Sequence, residues 1–331
     1  MQNQIATLNY ASLIKLVNPF NKKPLQIIEN GLVDEDGNIF PSFKGAYRFV
    51  EDGNYAGNFG YQWNKFSTTQ IDKTTSMKLS ERRFFAQTGW NKENLAGQNV
   101  LEVGSGAGRF TQIVLDYTKA NLYSVDYSNA VEANFNNNGP NPRLYLFQAS
   151  IYDLPFGPES FDKVFCFGVL QHTPDVEASV KALINMAKSG AEVIVDFYPI
   201  NGWWTKMHVK YLLRPFTKKM SHEVLFRKID ENADRLIKLY RFFASIGLRK
   251  VATRFIPVCD IDGTLPKNIS KETLREMVVL DTFDMFSPQY DQPQKIETVV
   301  AWFKDNGMTD VWGGVIYEDG FKSAVVKGRK L

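Results

Sequence analysis

A strand that runs straight into three glycines and out into a helix constrains this chain more than any other feature. Val100-Leu101-Glu102-Val103 reads as a short buried strand. Gly104-Ser105-Gly106-Ala107-Gly108 breaks it, and Phe110, Ile113, Val114 and Tyr117 then recur at helical spacing. Glycines there let the backbone approach a ligand in conformations a β-carbon forbids. Amides at the helix N-terminus point at that ligand. The pattern is E-x-G-x-G-x-G. The dinucleotide fingerprint would need a glycine where Arg109 stands, which argues against a nicotinamide dehydrogenase. Glu102 would repel a pyrophosphate and suits a ligand with a cationic amino-acid end. Asp126 closes the next strand about 20 residues beyond the glycines, where an acid holds ribose hydroxyls.

The same strand–helix alternation continues to residue 200. Strands are expected at Leu122–Val125, Arg143–Phe147, Lys163–Phe167 and Ala191–Phe197. Ser128 is placed to cap one helix, and Thr173-Pro174 and Gly190 to start and stop another. This rhythm implies an α/β fold with a mostly parallel sheet covered by helices on both faces. Residues 1–50 read as a small β-rich module, with a hairpin turning at Asp34-Glu35-Asp36-Gly37. Residues 51–97 read as an aromatic linker with lid helices. Residues 201–290 break the rhythm with Trp203, Trp204, a basic helical stretch and the stripe Ala233, Leu236, Ile237, Tyr240, Phe243 and Ala244; they read as a helical cap insertion. A helix through Ile296, Val299, Val300 and Phe303 and a hairpin turning at Glu318-Asp319-Gly320 then rejoin the sheet, so 98–200 and 291–331 form one domain.

The 331 residues, 44% of them hydrophobic, suffice for one principal core. Cys166 and Cys259 are too few for a disulfide framework or a four-cysteine metal site and are expected as reduced thiols, so the expected location is cytoplasmic. The polar start (Met1, Gln2, Asn3, Gln4) lacks the order of a secretory signal, and the run Ala191–Ile200 is too short to span a bilayer. A net charge of +3 neither demands nor excludes an anionic partner. The basic run Lys206, Lys210, Arg214, Lys218, Lys219, Arg227 and Lys228 is read as a solvated helix face rather than a phosphate track.

The glycine turn is followed in order by Val125-Asp126-Tyr127-Ser128, Asp153-Leu154-Pro155-Phe156, Ser160-Phe161-Asp162-Lys163-Val164 and Gly168-Val169-Leu170-Gln171-His172-Thr173-Pro174. With this set the chain resembles the class I S-adenosylmethionine-dependent methyltransferases, type 11-like, clearly over about residues 98–200 and more loosely at the final hairpin. The resemblance implies a Rossmann-like seven-stranded sheet whose last hairpin carries the one antiparallel strand. It implies S-adenosylmethionine as cofactor and S-adenosylhomocysteine as product. Gly104, Ser105, Gly106 and Gly108 would line the methionine end, with Glu102 and Arg109 organising it. Asp126 would hold the ribose and Tyr127 lie beside the adenine. Where the family carries an adenine-binding Asp, this chain has Ser150, followed by Ile151. The N-terminal module resembles a zinc ribbon found ahead of some methyltransferases. Its stretch Asn18–Leu25 has no cysteine, so no metal is expected and the hairpin must be held by its own apolar side chains.

Methyl transfer from a sulfonium is an in-line displacement that needs alignment, exclusion of water and, for an alcohol, a base. His172 follows the fourth strand at the ligand-binding edge and is the leading base candidate, with bracing of the loop as its alternative. Asp281, Asp284 and Tyr290 could orient or deprotonate an acceptor. Asn58–Phe66 would form a lid or substrate wall. The segment Gly168-Val169-Leu170-Gln171 differs from the Asn/Asp-Pro-Pro-Tyr of enzymes that methylate planar exocyclic amines. The expected function is methylation of a small-molecule acceptor, oxygen favoured, natural-product or sugar-like by analogy. The expected state is monomer or homodimer, with neither a membrane nor a nucleic-acid partner. The alternatives are an RNA methyltransferase related to the zinc-ribbon-bearing ribosomal RNA guanine enzymes and a non-catalytic cofactor-binding subunit.

Overall fold

The computed structural model describes residues 14–331 apart from 52, 76, 91–94, 201, 203–204, 206, 268 and 319–320. The polar start Met1–Gln4, Trp203, Trp204, Lys206 and the turn residues Asp319 and Gly320 therefore lie outside the described residues.

Seven strands carry the alternation read from the sequence: β5 (Asn99–Val103), β6 (Asn121–Asp126), β7 (Leu144–Gln148), β8 (Phe161–Cys166), β9 (Ala187–Phe197), β10 (Met308–Glu318) and β11 (Phe321–Lys330). Their order is β7-β6-β5-β8-β9-β11-β10, parallel except for β11, which runs antiparallel to both its neighbours. The chain leaves the sheet after β9 at Pro199 and returns beside it at Gln294, where those two residues form a parallel bridge.

Period-two alternation decides what each face of the sheet buries. Leu101, Val103, Tyr123, Val125, Tyr145 and Phe147 point to one face. There they meet Val180 and Leu183 of α6 (Val176–Met186) and Val299 and Phe303 of α12 (Ile296–Asp305). Val100, Leu122, Leu144, Leu146 and Phe165 point to the other. They meet Ile113 and Val114 of α4 (Arg109–Tyr117), Phe84 of α3 (Leu79–Thr88) and Val131 of α5 (Val131–Asn138). Each fully buried side chain of this size contributes about 1.5–3 kcal/mol, so this double-sided core dominates the stability of the sheet.

Three expectations are corrected. Among the described residues the sheet has eleven strands, because the N-terminal strands extend it. β1 (Leu25–Ile28), β2 (Gly31–Asp34) and β3 (Ile39–Phe43) form a meander ending in β4 (Ala46–Arg48), which pairs parallel with β7. Gly45, at φ 75°, fits against the Phe135 ring, where a Cβ would come within 2.2 Å. The α6 helix is capped by Asp175, whose side chain accepts from Ala178 N, and ends at Met186. Gly190 instead lies within β9, where the pairing with β8 shifts register.

The hairpin is held by a carboxylate as well as by apolar side chains. Asp34 is buried, and its Oδ2 accepts from the amides of Asn18 (2.7 Å), Asn21 (2.8 Å) and Asn38 (2.9 Å). Its Oδ1 accepts from the backbone N–H groups of Asp36 (3.0 Å) and Asn38 (2.9 Å). The side-chain donors, led by Asn38, hold this carboxyl far below the usual carboxylate range. Both Asp34→Ala and Asp34→Asn are expected to lower Tm by several degrees, since an amide would present donors where the carboxylate receives them. A thermal melt of either variant that superimposes on the parent would remove this role.

Residues 205–286 add helices over one end of the sheet: α7 (Val209–Thr217), α8 (His222–Ser245), α9 (Arg249–Phe255), α10 (Ile261–Thr264) and α11 (Lys271–Phe286). They bury their own clusters, one around Tyr240, Val258 and Met277 and one around Ile229, Leu280 and Phe283.

Candidate functional site

The C-terminal ends of β5 to β9 converge on one edge, the place where open parallel sheets bind ligands. A cavity of about 1560 Å³ opens there, between the sheet, α1 (Gly57–Lys65) and the cap helices. Ligand pockets ordinarily measure roughly 300–1,000 Å³, so this space exceeds what one small ligand fills.

The glycine turn forms one wall. Gly104, Gly106 and Gly108 take φ of 83°, 53° and 84°. A Cβ on Gly104 would lie 2.0 Å from Val169, and one on Gly106 would lie 3.0 Å from the Trp63 indole nitrogen. The turn is pinned to β6 by backbone bonds from Gly104 and Ser105 to the Val125 carbonyl. Asp126 adds a second tie: it accepts from Gly106 N (2.8 Å) and from both the N–H and the hydroxyl of Ser128. Burial pushes its carboxyl up, opposed by those same donors.

Gly104, Ser105, Gly106, Arg109, Asp126, Tyr127, Ile151, His172, Asp281 and Asp284 all line the cavity. Glu102, Gly108, Ser150 and Tyr290 lie outside its lining. Glu102 sits behind the turn, where its Oε2 accepts from Thr111 (2.5 Å) and Ser124 (2.8 Å) while Oε1 is buried without a partner. The Ser150 hydroxyl accepts from Tyr152 N. Tyr290 offers its carbonyl to the His172 ring and its own ring to Tyr55. Arg109 donates to Ser80 and Gln70 and stacks over Phe110.

His172 is buried beside Phe59 (5.1 Å) and edge-on to Tyr198 (5.6 Å). Its Nδ1 lies 3.1 Å from the Tyr290 carbonyl. A carbonyl only accepts, so Nδ1 carries the proton and Nε2 is the acceptor of the neutral ring. Burial lowers the His172 pKa, with Asp284 the largest opposing influence. Asp281 is pushed up to about 7 by burial and by Asp284. Asp284 accepts from the Tyr198 hydroxyl (3.2 Å).

The sequence reading missed Asp196 and Tyr198, and it held Gln62 only as part of the Asn58–Phe66 wall. Asp196, the last residue but one of β9, receives Arg83 (2.7 Å), Gln87 (2.8 Å), Ser323 (3.1 Å) and the N–H of Gly168. Its signal was available: an acid closing an apolar strand, as Asp126 does. Gln62 lines the cavity from α1 with both amide atoms buried and unpartnered, and the Ser105 hydroxyl is likewise unpartnered. Neither fact is visible without knowing where α1 packs. The expected solvated basic face is also corrected at two positions. Arg214 is buried and donates to the carbonyls of Met285 and Pro288, and Lys210 pairs with Asp291 at 2.8 Å.

Glu102 yields a stability prediction. Burial lifts its carboxyl to about 7. The folded state therefore keeps a proton that the unfolded chain releases near the ordinary value of 4.5, and stability falls as pH rises between those values. Glu102→Gln is expected to raise stability at pH 8, by on the order of a few kcal/mol, and to change it little at pH 4. Equal shifts in Tm at both pH values would contradict this.

Residues 101–195 match the model of a methyltransferase domain. A tRNA U34 carboxymethyltransferase of Nautilia profundicola is 31% identical over 111 residues, which cover 33% of this chain and 37% of that protein. A ubiquinone biosynthesis O-methyltransferase of Pseudomonas fluorescens is 30% identical over 104 residues, 30% of this chain and 44% of that protein. The chain thus spans little more than a third of the length of the first curated relatives it matches. The solved structure of human N-acetylserotonin methyltransferase in complex with SAM aligns with 82% of this chain and 56% of that chain, at a TM-score of 0.46 and 10% identity.

Proposed function

We propose that this chain, which carries the class I methyltransferase domain in residues 101–195, methylates a small-molecule acceptor at oxygen, with S-adenosylmethionine as cofactor. When bound, S-adenosylmethionine supplies an electrophilic methyl group on a cationic sulfur and leaves as S-adenosylhomocysteine. The residues present fit it. Gly104 and Gly106, both at positive φ, leave a cradle on the cavity wall where a β-carbon would run into Val169 or Trp63. The unpartnered Ser105 hydroxyl and Gln62 amide offer donors and acceptors suited to an amino-acid end. Asp126 and Tyr127 lie at the end of β6, and Ile151 follows β7, suited to ribose and adenine. Glu102 acts from behind, through Thr111 and Ser124 and the position of the turn.

One observation carries the acceptor chemistry: a neutral imidazole, its Nδ1–H committed to the Tyr290 carbonyl, on the wall of a cavity large enough for two ligands. Its Nε2 can take the proton of an acceptor hydroxyl as the oxygen attacks. Asp281 and Asp284 orient that hydroxyl from the cap, and Tyr198 holds Asp284. The aromatic wall of Tyr55, Phe59 and Trp63 keeps water out. A second reading, transfer to RNA, draws on the relative named for tRNA U34. It predicts binding that weakens steeply with salt, whereas a neutral small acceptor is indifferent to it.

Calorimetry is expected to show binding of S-adenosylmethionine and S-adenosylhomocysteine by the parent and none of NADH. Gly106→Ala should weaken both adenosyl ligands at least tenfold, since the added carbon crowds Trp63 at a φ of 53°. Full retention of binding would refute the cofactor site. Once an acceptor is found, His172→Ala should lower kcat about 100-fold while leaving cofactor affinity unchanged. In an Asp281→Asn variant, which removes the carboxyl that titrates near 7, kcat/KM should be flat above pH 6.5 and fall on the acid side, where the depressed pKa lets the His172 ring protonate only below its ordinary value. A rate that rises with acidity would exclude His172 as the base.

A further inference from the structure

No helix among the described residues is long and apolar enough to cross a membrane, yet the cap carries a surface built like one that lies on a membrane. From Arg235 to Cys259 the sequence has no acidic residue and six basic ones: Arg235, Lys238, Arg241, Arg249, Lys250 and Arg254. Large apolar side chains are exposed between them. On the last turns of α8 and at its C-cap these are Leu239, Phe242 (60% exposed) and Ile246 (54%), at i, i+3 and i+7. On α9 and its N-cap they are Leu248, Val251 and Phe255 (58%), at the same spacing. Each helix thus turns one apolar face outward, the reverse of what a soluble helix does. The opposite faces bury Ile237, Tyr240 and Ala252 in the cap cluster, so the outward faces are not ordinary core. Arg254 donates to the Met207 carbonyl, and Met207 is itself exposed beside this ridge. Earlier in the chain, residues 205–222 are also free of acids, and α7 exposes Leu212 and Phe216.

We propose that this ridge docks the protein on the surface of an anionic phospholipid bilayer. Apolar side chains enter the boundary between headgroups and acyl chains, and the interleaved cations meet the lipid phosphates. Charge chooses among the occupants. Lys238, Arg241 and Lys250 make no ion pair among the described residues, so a second copy of the same acid-free ridge would set like charges together. An RNA would reward the cations alone and leave six aliphatic and aromatic side chains in water. The docking has a consequence for the cavity. Leu248, Lys250, Val251 and Arg254 belong to the ridge and also line the cavity, so its mouth faces the lipid. An acceptor with an apolar tail can then pass from bilayer to site without crossing water.

The test is co-sedimentation of the full chain with vesicles of phosphatidylcholine alone and of phosphatidylcholine mixed with phosphatidylglycerol. The parent should bind the mixed vesicles, bind neutral ones far more weakly, and lose affinity with added salt. Phe242→Ser combined with Ile246→Ser should weaken binding at least about tenfold. Lys238→Glu combined with Arg241→Glu should weaken it about 25-fold or more on the anionic vesicles only. None of these four residues lines the cavity, so S-adenosylmethionine binding and the circular dichroism spectrum should be unchanged in both variants. Failure to bind mixed vesicles, or undiminished binding by the Phe242/Ile246 variant, overturns the proposal. So does light scattering that shows a dimer which this variant dissociates, because a second copy then covers the ridge. Capture of a transcribed tRNA without capture of vesicles would give the surface to RNA instead.

Discussion

The site depends first on one carboxylate. Asp126 ends β6 and reaches across to the N–H of Gly106 in the neighbouring turn, while its other oxygen takes both donors of Ser128. A turn with three residues at positive φ has few conformational restraints of its own. A buried charge-assisted bond at its centre replaces the restraint that side chains would otherwise supply. The same acid lines the cavity, so the group that shapes the turn also faces what the turn holds. Glu102 works similarly from the rear, tying α4 and β6 together through Thr111 and Ser124. Asp196 does so at β9, tying α3, β11 and the β8 loop. Three buried acids at three strand ends thus fix the floor of the cavity.

The roof is built differently. α1 lays Phe59 against His172, places Trp63 over Gly106, and leaves the Gln62 amide buried with nothing to bond. An unpaired buried amide costs on the order of 1–3 kcal/mol, a cost that a ligand in the cavity can offset. From the cap come Asp281 and Asp284; burial, and then the charge of Asp284, push the Asp281 carboxyl up to about 7. Floor and roof meet at His172, which the 3-10 turn Leu170–His172 brings to the edge of the sheet and the Tyr290 carbonyl fixes in one tautomer.

Much of this is legible in the amino-acid sequence. The parallel pairing of the sheet follows from strand–helix alternation, since parallel neighbours require helical crossovers. The turn at Gly104–Gly108 and the position of Asp126 were readable from spacing. The meander was read as a hairpin but not as an extension of the sheet. Which edge a three-residue strand such as Ala46–Arg48 joins depends on the partner's open hydrogen-bonding groups, and those are nowhere encoded locally. The Asp34 hub was missed for a related reason: its donors come from Asn18, Asn21 and Asn38, and only the folded hairpin brings them to one point. The basic run misled because a one-dimensional tally of charge cannot tell Arg214, which is buried against two carbonyls, from Lys218, which is exposed.

By itself the sequence determined the α/β class, the ligand-binding edge and the glycine cradle, because all three arise from interactions between residues a few positions apart. The tertiary structure decided what stands around that cradle. The contact of Gln62 and Trp63 with the turn, the pairing of His172 with Tyr290 118 positions away, and the outward-facing ridge of α8 and α9 are long-range outcomes. They depend on which apolar face wins a place in which cluster. That competition is settled by packing over the whole molecule and leaves no local trace in the chain.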